Sequence, residues 1–290
     1  MNGLKTRLKA WAQLLRVANL LTVPGDAIAG FWLTAGAGTP GRALAAAIAV
    51  GVLLYAAGLA LNDFCDRKVD AEERPARPIP SGRIAPRAAL AAAGALGAIA
   101  WLLAGTLLPG RALAVTASLS ALIVLYNVYA KRYAWFGIPV MALCRGGSFL
   151  LGWSAAASGT PHWGACTLLM LYIALVSIVA AREANPGKLF PLPYLPGLGL
   201  GIAAAYWRQV PWFNILALVL ALRTLLLGAS LGQWPKPEAV QKTIGQWLVA
   251  LPFLQGTLLL LAPHAPPVWI ACVMALAIPA RLIGKVCHVS

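Results

Sequence analysis

The chain has 290 residues, of which 60% are hydrophobic and 11% are charged, and its formal net charge is +15. Its mean hydropathy is +0.77, whereas soluble domains carry about 25% charged residues. This composition excludes an ordinary soluble protein and indicates an integral membrane protein. Because apolar segments follow one another through the whole chain, we expect a single membrane domain over residues 1–290.

The predicted elements are apolar helices, each close to the roughly 20 residues that span a bilayer. Segment 190–206 is the shortest and contains several prolines and glycines, which break helices. We expect an all-α, polytopic fold of nine or ten transmembrane helices. In chain order the candidate spans are 14–36, 43–64, 86–108, 111–130, 134–156, 163–181, 190–206, 211–231, 244–262 and 266–287.

The positive charge lies mainly in short connectors between these spans, which is typical of loops retained in the cytoplasm and not of a nucleic-acid-binding surface. With the N-terminus inside, 18 of the 23 Lys and Arg residues fall on the cytoplasmic side. We therefore expect a cytoplasmic N-terminus and a cytoplasmic connector 62–83. We expect membrane lipid and no nucleic acid as partners, and the bacterial inner membrane as the location.

Five of the eight acidic residues lie between Asp63 and Glu73, directly after the second span. Asp63, Asp66 and Asp70 are spaced so that they share one face of a helix, with Asn62 beside Asp66. Mg²⁺ takes oxygen ligands, usually one or two carboxylates together with waters and substrate phosphates. The pattern therefore predicts a magnesium site that holds a diphosphate.

Arginines follow the acidic cluster, and the residues between them include three prolines. Arg74, Arg77 and Arg83 can each form two-pronged hydrogen bonds with phosphate oxygens. The alternative is a solvated loop of mixed charge, in which salt bridges contribute little. The one-sided spacing of the aspartates and the scarcity of acids elsewhere favour the diphosphate site.

The residues NDFCDRKVD (62–70) and RPARPIPSG (74–82) resemble the first signature of the UbiA superfamily of intramembrane prenyltransferases. Looser similarity extends to the first span and to the end of the fourth. The residues that carry this looser similarity are Arg16, Asn19, Pro24, Gly25, Tyr126, Lys131 and Arg132.

This resemblance implies a helical bundle around a central cavity and Mg²⁺-dependent cleavage of an isoprenyl diphosphate. It also implies transfer of the prenyl group to an acceptor, often an aromatic one. The implied metal ligands are Asp63, Asp66, Asp70 and Asn62. The implied diphosphate-binding residues are Asn62, Arg74, Arg77, Lys131, Arg132 and Arg182, and catalysis would depend on Asp63, Asp66, Asp70, Arg77 and Lys131.

One departure from the family pattern lies at 177–188, where a second aspartate-rich motif is usual and no aspartate is present. Glu183 is the only acid there, and Arg182 precedes it. We therefore expect no second metal held by two carboxylates, and Arg182 and Lys188 can replace the metal's charge at a diphosphate. The Arg-Glu pair resembles the UbiA-like proteins encoded in bacterial Ebo gene clusters.

Residues deeper in the spans are candidates for the substrate cavity. Tyr126, Phe149, Trp153 and Tyr172 offer aromatic faces that stabilise a carbocation, although packing or interfacial roles are the alternative for each. Asn19 and Glu183 complete the predicted cavity set with Arg145. A charge at the depth of Arg145 usually faces the protein interior, so Arg145 is expected either to meet the substrate or to pair with Glu183.

Three functions remain open from the sequence. A prenyltransferase and an intramembrane terpene cyclase share the first step, loss of diphosphate, and differ in whether an external acceptor captures the cation. A non-catalytic lipid-binding or transport component would retain the fold and lose the second motif. The intact Asp63, Asp66 and Asp70 favour an enzyme, and the prenyltransferase is the leading hypothesis.

Overall fold

A computed structural model describes residues 2–34, 41–183 and 187–287. All regular elements in these ranges are helices, as the composition and span pattern predict. The α-helices are α1 (Asn2–Leu14), α2 (Val17–Leu20), α3 (Pro24–Trp32), α4 (Arg42–Glu73), α5 (Pro86–Leu107), α6 (Arg111–Val128), α7 (Ala134–Ala155), α8 (Trp163–Ala180), α9 (Leu195–Tyr206), α10 (Pro211–Ala229), α11 (Pro237–Val249), α12 (Leu251–Leu259), α13 (Pro267–Ala275) and α14 (Ala277–Cys287).

Seven segments in the described ranges are long and apolar enough to cross a membrane, or eight if a bent pair near the N-terminus counts as one span. The expected number of nine or ten is therefore not confirmed. The predicted span 190–206 contains a helix of only 12 residues, α9. The predicted span 244–262 is divided at Ala250, where α11 ends, and Pro252 lies in the first turn of the next helix.

The first predicted span, 14–36, is also broken. The helix over Thr6–Leu14 and the segment Val17–Trp32 meet at an angle of 51°. Arg16 occupies the break with a φ of 43°, in the left-handed region that non-glycine residues rarely adopt. The N-terminal segment is therefore helical up to Leu14, and the break presents the Arg16 side chain to α4.

Helix α4 has 32 residues and positions the acidic cluster. At 1.5 Å rise per residue it is about 48 Å long, so its last turns extend beyond a hydrocarbon core of about 30 Å. Pro75 follows the C-cap residue Arg74 and disfavours further helix at that point. One continuous helix therefore connects the membrane interior with the carboxylates at its end.

Helices α3 and α7 approach each other closely at two glycines. A Cβ atom on Gly30 would clash with the carbonyl oxygen of Phe149, and one on Gly152 would clash with that of Ala27. Small residues permit such backbone contact between membrane helices. The close packing brings Asp26 of α3 beside Arg145 of α7.

Candidate active site

A large cavity of about 2140 Å³ opens beside the end of α4 and continues into the bundle. Eleven basic side chains line it, against five acidic ones, which suits a polyanionic ligand. The basic residues are Arg16, Arg67, Lys68, Arg74, Arg77, Lys131, Arg132, Arg145, Arg223, Lys242 and Arg281, and the acidic ones are Asp66, Asp70, Glu73, Glu183 and Glu238. Below, "mouth" means the part of this cavity formed by residues 62–77 with Arg16, Lys131 and Glu183.

The central contact of the mouth joins α4 to the turn after α6. Lys131 Nζ lies 2.6 Å from Asp66 Oδ1 and donates to Asn62 Oδ1 at 3.2 Å. The Lys131 side chain is 16% exposed and that of Asp66 30%, so water and ligands reach both. The ammonium group thus lies between a carboxylate and an amide oxygen, two of the predicted metal ligands.

The other two aspartates of α4 are more deeply buried, and each has its own arginine. Arg16 Nη2 donates to Asp63 Oδ1 at 3.0 Å. Arg77 Nη1 donates to both carboxylate oxygens of Asp70, at 2.9 and 2.8 Å, and lies 3.9 Å from Asp63. Asp63 stands behind the cavity wall, whereas Asp70 lines it. Cations from three different connectors therefore converge on one face of α4.

The structure brings connector 62–83 together with the connector after α8. Arg74 Nη2 lies 3.4 Å from Glu183 Oε1, and Glu183 lines the cavity as predicted. Arg182 is exposed and is not among the described residues that line the cavity. Residues 184–186 of the predicted second-motif segment lie outside the described residues.

The donor set fits Mg²⁺ in its chemistry. Asp66 and Asn62 offer oxygen ligands in an open cavity wall, and Mg²⁺ usually needs only one or two carboxylates when phosphates and waters supply the rest. Within residues 2–34, 41–183 and 187–287, no three Asp, Glu, His or Cys side chains converge as a preformed metal site. Joint metal ligation by Asp63, Asp66, Asp70 and Asn62 therefore stays a prediction.

The predicted cavity residues divide into two groups. Asn19, Tyr126 and Arg145 line the cavity, as do the predicted phosphate ligands Arg74, Arg77 and Arg132. Arg145 pairs with Asp26, its Nε lying 2.9 Å from Asp26 Oδ2. Its ion pair in the described residues is therefore with Asp26 and not with Glu183, which pairs with Arg74 at the mouth.

Three predicted aromatic residues belong to the packing of the bundle and not to the cavity wall. Phe149 is fully buried in the apolar core, and the Tyr172 hydroxyl donates to the Trp247 carbonyl at 3.0 Å. Trp153 donates to the Gly159 carbonyl and lies under the Arg111 guanidinium, 5.0 Å from ring centre to Cζ. Apolar periodicity alone does not distinguish a cavity-facing ring from a core-facing one, which explains these three corrections.

A buried polar cluster lies below the mouth, and Arg145 is the one member of it that the sequence singles out. Asp26 is fully buried, and Gln255 Nε2 donates to Asp26 Oδ1 at 2.6 Å and to the Thr22 carbonyl at 2.7 Å. Arg145 Nη2 donates to that same carbonyl at 2.7 Å. Asp26 and Arg145 are opposite charges within two predicted spans, and a charge inside a span is costly unless it is paired. This cost was the sequence signal that could have predicted their pairing.

Helices long and apolar enough to span a membrane, together with a large cavity lined mainly by basic side chains, define the class of an integral membrane protein with an internal cavity. Residues 26–185 match the family model of the UbiA prenyltransferase family. This match covers more than half of the chain and includes the whole α4 motif. The chain belongs to the UbiA prenyltransferase family.

Individual relatives agree with this assignment. The digeranylgeranylglyceryl phosphate synthase of Natronomonas pharaonis is 36% identical over 177 residues, a match spanning 61% of each chain. The synthase of that name from Methanopyrus kandleri is 31% identical over 282 residues, covering 87% of this chain and 100% of the relative. The structure of a UbiA homologue from Archaeoglobus fulgidus bound to DMAPP and Mg²⁺ superposes with a TM-score of 0.63 at 13% identity, covering 96% of this chain and 98% of the homologue.

Proposed function

We propose that this protein transfers a prenyl group from an isoprenyl diphosphate to an acceptor within the membrane, in a Mg²⁺-dependent reaction. The observation that carries the proposal is the mouth, where Arg16, Arg77 and Lys131 surround the carboxylates of α4. A diphosphate carries several negative charges, and the cavity that opens at the mouth is lined by eleven basic and five acidic side chains, an excess that can bind it. The family assignment and the names of the relatives support the same reaction class.

The residues at the mouth can exchange their partners when the donor binds. Asp66 and Asn62 would hold Mg²⁺, with Asp63 and Asp70 close behind, and the Lys131 ammonium would move from Asp66 to a phosphate oxygen. When bound, Mg²⁺ supplies charge stabilisation for the leaving diphosphate. Arg77 and Arg74 reach the same region and can stabilise further negative charge on the departing group.

The chemistry requires the carbon–oxygen bond of the allylic diphosphate to break, with the electron pair leaving on oxygen. The allylic cation that develops would lie next to Tyr126 and Tyr55, which line the cavity below the mouth. Aromatic faces stabilise cations, and the apolar wall limits access of water to the cation. The acceptor then forms the new bond to carbon and releases a proton.

We place the mouth on the cytoplasmic side of the membrane. The N-terminal helix, connector 62–83, Lys131 and Glu183 meet there, and most of the chain's basic residues belong to connectors of this side under the positive-inside rule. An isoprenyl diphosphate would enter laterally, with its charged end at the mouth and its hydrocarbon in the bundle. The bacterial inner membrane and the Ebo-type subgroup stay predictions.

The proposal is tested by measuring diphosphate release from geranyl, farnesyl and geranylgeranyl diphosphate by the purified protein in detergent, with and without Mg²⁺. Prenyl acceptors are added in parallel, and products are identified by mass spectrometry. Metal-dependent release coupled to a prenylated acceptor supports the transferase. Release with a cyclic product and no acceptor indicates a terpene cyclase, and binding without release indicates a lipid-binding component.

A further inference from the structure

The N-terminal helix α1 carries positive charge that no acidic side chain offsets. The first 25 residues contain four basic residues and no acid, and Lys5, Arg7 and Lys9 of these belong to α1. Arg7 and Lys9 are exposed, and neither takes part in the ion pairs of the described residues. The charge of α1 is therefore available to a partner outside this chain.

The position of α1 decides which partner this charge can meet. Two residues, Leu15 and Arg16, separate α1 from α2, and the segment Val17–Trp32 belongs to the first candidate span. Because α1 is bent by 51° from that segment, a helix of about 20 Å reaches only about 12 Å further along the direction of the span. The headgroup layer is roughly 5–8 Å thick on each side of a bilayer, so α1 stays close to the lipid surface.

An apolar side chain stands between the two cations. Leu8 is 61% exposed, whereas Ala10 is fully buried against the protein. Two residues correspond to about 200° of rotation on a helix, so Leu8 projects from the side of α1 opposite Ala10. Basic residues beside an exposed apolar one are typical of helices that lie in the membrane interface. Arg7 and Lys9 can thus meet headgroups while Leu8 meets acyl chains.

The protein-facing side of α1 packs against the connector 74–85, which joins α4 to α5. Ala10 and Leu14 share a buried apolar cluster with this connector. Gln13 Oε1 accepts a hydrogen bond from Arg83 Nη1 at 2.7 Å. The same connector contributes arginines to the mouth, so a contact that holds α1 in place also restrains that part of the mouth.

We propose that α1 binds anionic phospholipid headgroups through Arg7 and Lys9, with Leu8 in the acyl boundary, and that this contact orders connector 74–85. Charge complementarity selects the partner, because a basic segment next to a span is attracted to anionic lipids and a zwitterionic headgroup has no net charge. The inference concerns binding and not turnover, so it does not depend on the proposed reaction.

Amide hydrogen exchange, followed by mass spectrometry on the full chain in lipid nanodiscs, tests this inference. One set of nanodiscs contains phosphatidylcholine alone, and the other contains equal parts of phosphatidylcholine and phosphatidylglycerol. In the wild type, phosphatidylglycerol should slow exchange in 6–14 by up to roughly 30-fold, which corresponds to about 1 kcal/mol for each of two cations. It should also slow exchange in 74–85. Equal exchange of 6–14 in the two lipids would overturn the inference.

Two double variants with the same change in net charge assign the effect to α1. Arg7→Gln/Lys9→Gln should lose most of the slowing in 6–14 and, with it, the slowing in 74–85. Arg182→Gln/Lys236→Gln removes exposed cations outside α1 and should keep both effects. An equal loss in this control would show a general attraction of the protein to anionic lipid and would overturn the assignment to α1.

The coupling to the mouth and the source of the negative charge are tested separately. Gln13→Ala removes the hydrogen bond to Arg83 and leaves the cations in place, so the effect on 6–14 should persist and that on 74–85 should weaken. Slowed exchange of 6–14 without any change at 74–85 in the wild type would overturn the coupling. Glycerol 3-phosphate added to phosphatidylcholine nanodiscs should have no effect, and protection of 6–14 by this free phosphate ester would overturn the assignment to a lipid surface.

Discussion

Charged residues occur in two regions of this molecule, and the two regions are built differently. At the mouth, carboxylates of α4 pair with cations from neighbouring connectors, and the cationic side chains are 16–36% exposed. Below it, the Asp26–Arg145 pair is 0% and 7% exposed and is held by Thr22 and Gln255. Partly solvated pairs contribute little to stability, whereas breaking a buried pair is costly.

This contrast indicates different roles for the same residue types. The Lys131–Asp66 and Arg74–Glu183 pairs, in which both side chains are partly exposed, can open and exchange partners with a metal and a diphosphate at small energetic cost. The buried pair cannot open without stranding a charge in a low-dielectric interior. We infer that the mouth provides exchangeable ligands and that the buried cluster provides fixed geometry.

The largest expected effect is on catalysis by the mouth. Replacing Asp66 or Asp63 with Ala should reduce the rate of diphosphate release at least about 100-fold, because charge stabilisation of the leaving group is lost. Unfolding temperature should change little in Asp66→Ala, whose carboxylate is partly exposed. Glu72→Ala removes an exposed carboxylate of the same helix and is the control. Retained activity in both aspartate variants would contradict the assigned role of the mouth.

The next effect concerns stability of the buried cluster. Asp26→Ala leaves Arg145 buried without its counter-ion, and we expect a loss of about 3–5 kcal/mol in unfolding free energy. Thermal or denaturant unfolding in detergent measures it. The double variant Asp26→Leu/Arg145→Met should recover most of this loss, since an apolar replacement of a buried pair is often neutral. If the double variant does not recover unfolding free energy, the unpaired Arg145 charge is not the cause of the loss in Asp26→Ala.

A smaller catalytic effect is expected from Lys131. Lys131→Ala should lower diphosphate release by about 10- to 100-fold, less than the roughly 100- to 1000-fold for loss of a single dedicated donor, because Arg77 and Arg74 reach the same region. Lys131→Arg should retain part of the activity. Arg87→Ala, at an exposed position in the first turn of α5, controls for net charge. An equal reduction in Arg87→Ala would indicate a nonspecific electrostatic effect.

The smallest effect distinguishes two adjacent residues after α8. Glu183→Ala releases Arg74 and should change the KM for the isoprenyl diphosphate by about two- to fivefold, the size of one partly exposed pair. Arg182→Ala should leave the KM unchanged because Arg182 is exposed and does not line the described cavity. A KM effect of Arg182→Ala larger than that of Glu183→Ala would contradict the described arrangement.

The mouth was predictable from the sequence because its key residues share one helix. Spacing alone places Asp63, Asp66 and Asp70 on one face of α4, and the charge asymmetry of the connectors places 62–83 and 181–188 on the same side of the membrane. The contact between Arg74 and Glu183 agrees with that placement. These features depend on the spacing of residues along one helix and on membrane topology. Both can be inferred from a single sequence, the first from helical periodicity and the second from the distribution of Lys and Arg.

The buried cluster was not predictable in the same way. Asp26, Arg145 and Gln255 lie on three helices far apart in the sequence, and their contact depends on the packing of α3 against α7 at Gly30 and Gly152. Phe149 lies at the same contact, since its carbonyl faces Gly30, whereas the Tyr172 hydroxyl is directed to the Trp247 carbonyl of α11. The helix break at Arg16 requires a left-handed residue that no glycine or proline marks in the sequence.

The proposed reaction requires the carboxylates of α4 to hold a metal on the diphosphate of the donor. Mn²⁺ in place of Mg²⁺ permits a direct test by pulsed electron paramagnetic resonance with geranyl diphosphate bound to the detergent-solubilised protein. The account predicts ³¹P hyperfine coupling to Mn²⁺ in the wild type and in Glu72→Ala, and its loss in Asp66→Ala at matched metal and ligand concentrations. Unchanged ³¹P coupling in Asp66→Ala, or absence of coupling in the wild type, would contradict it.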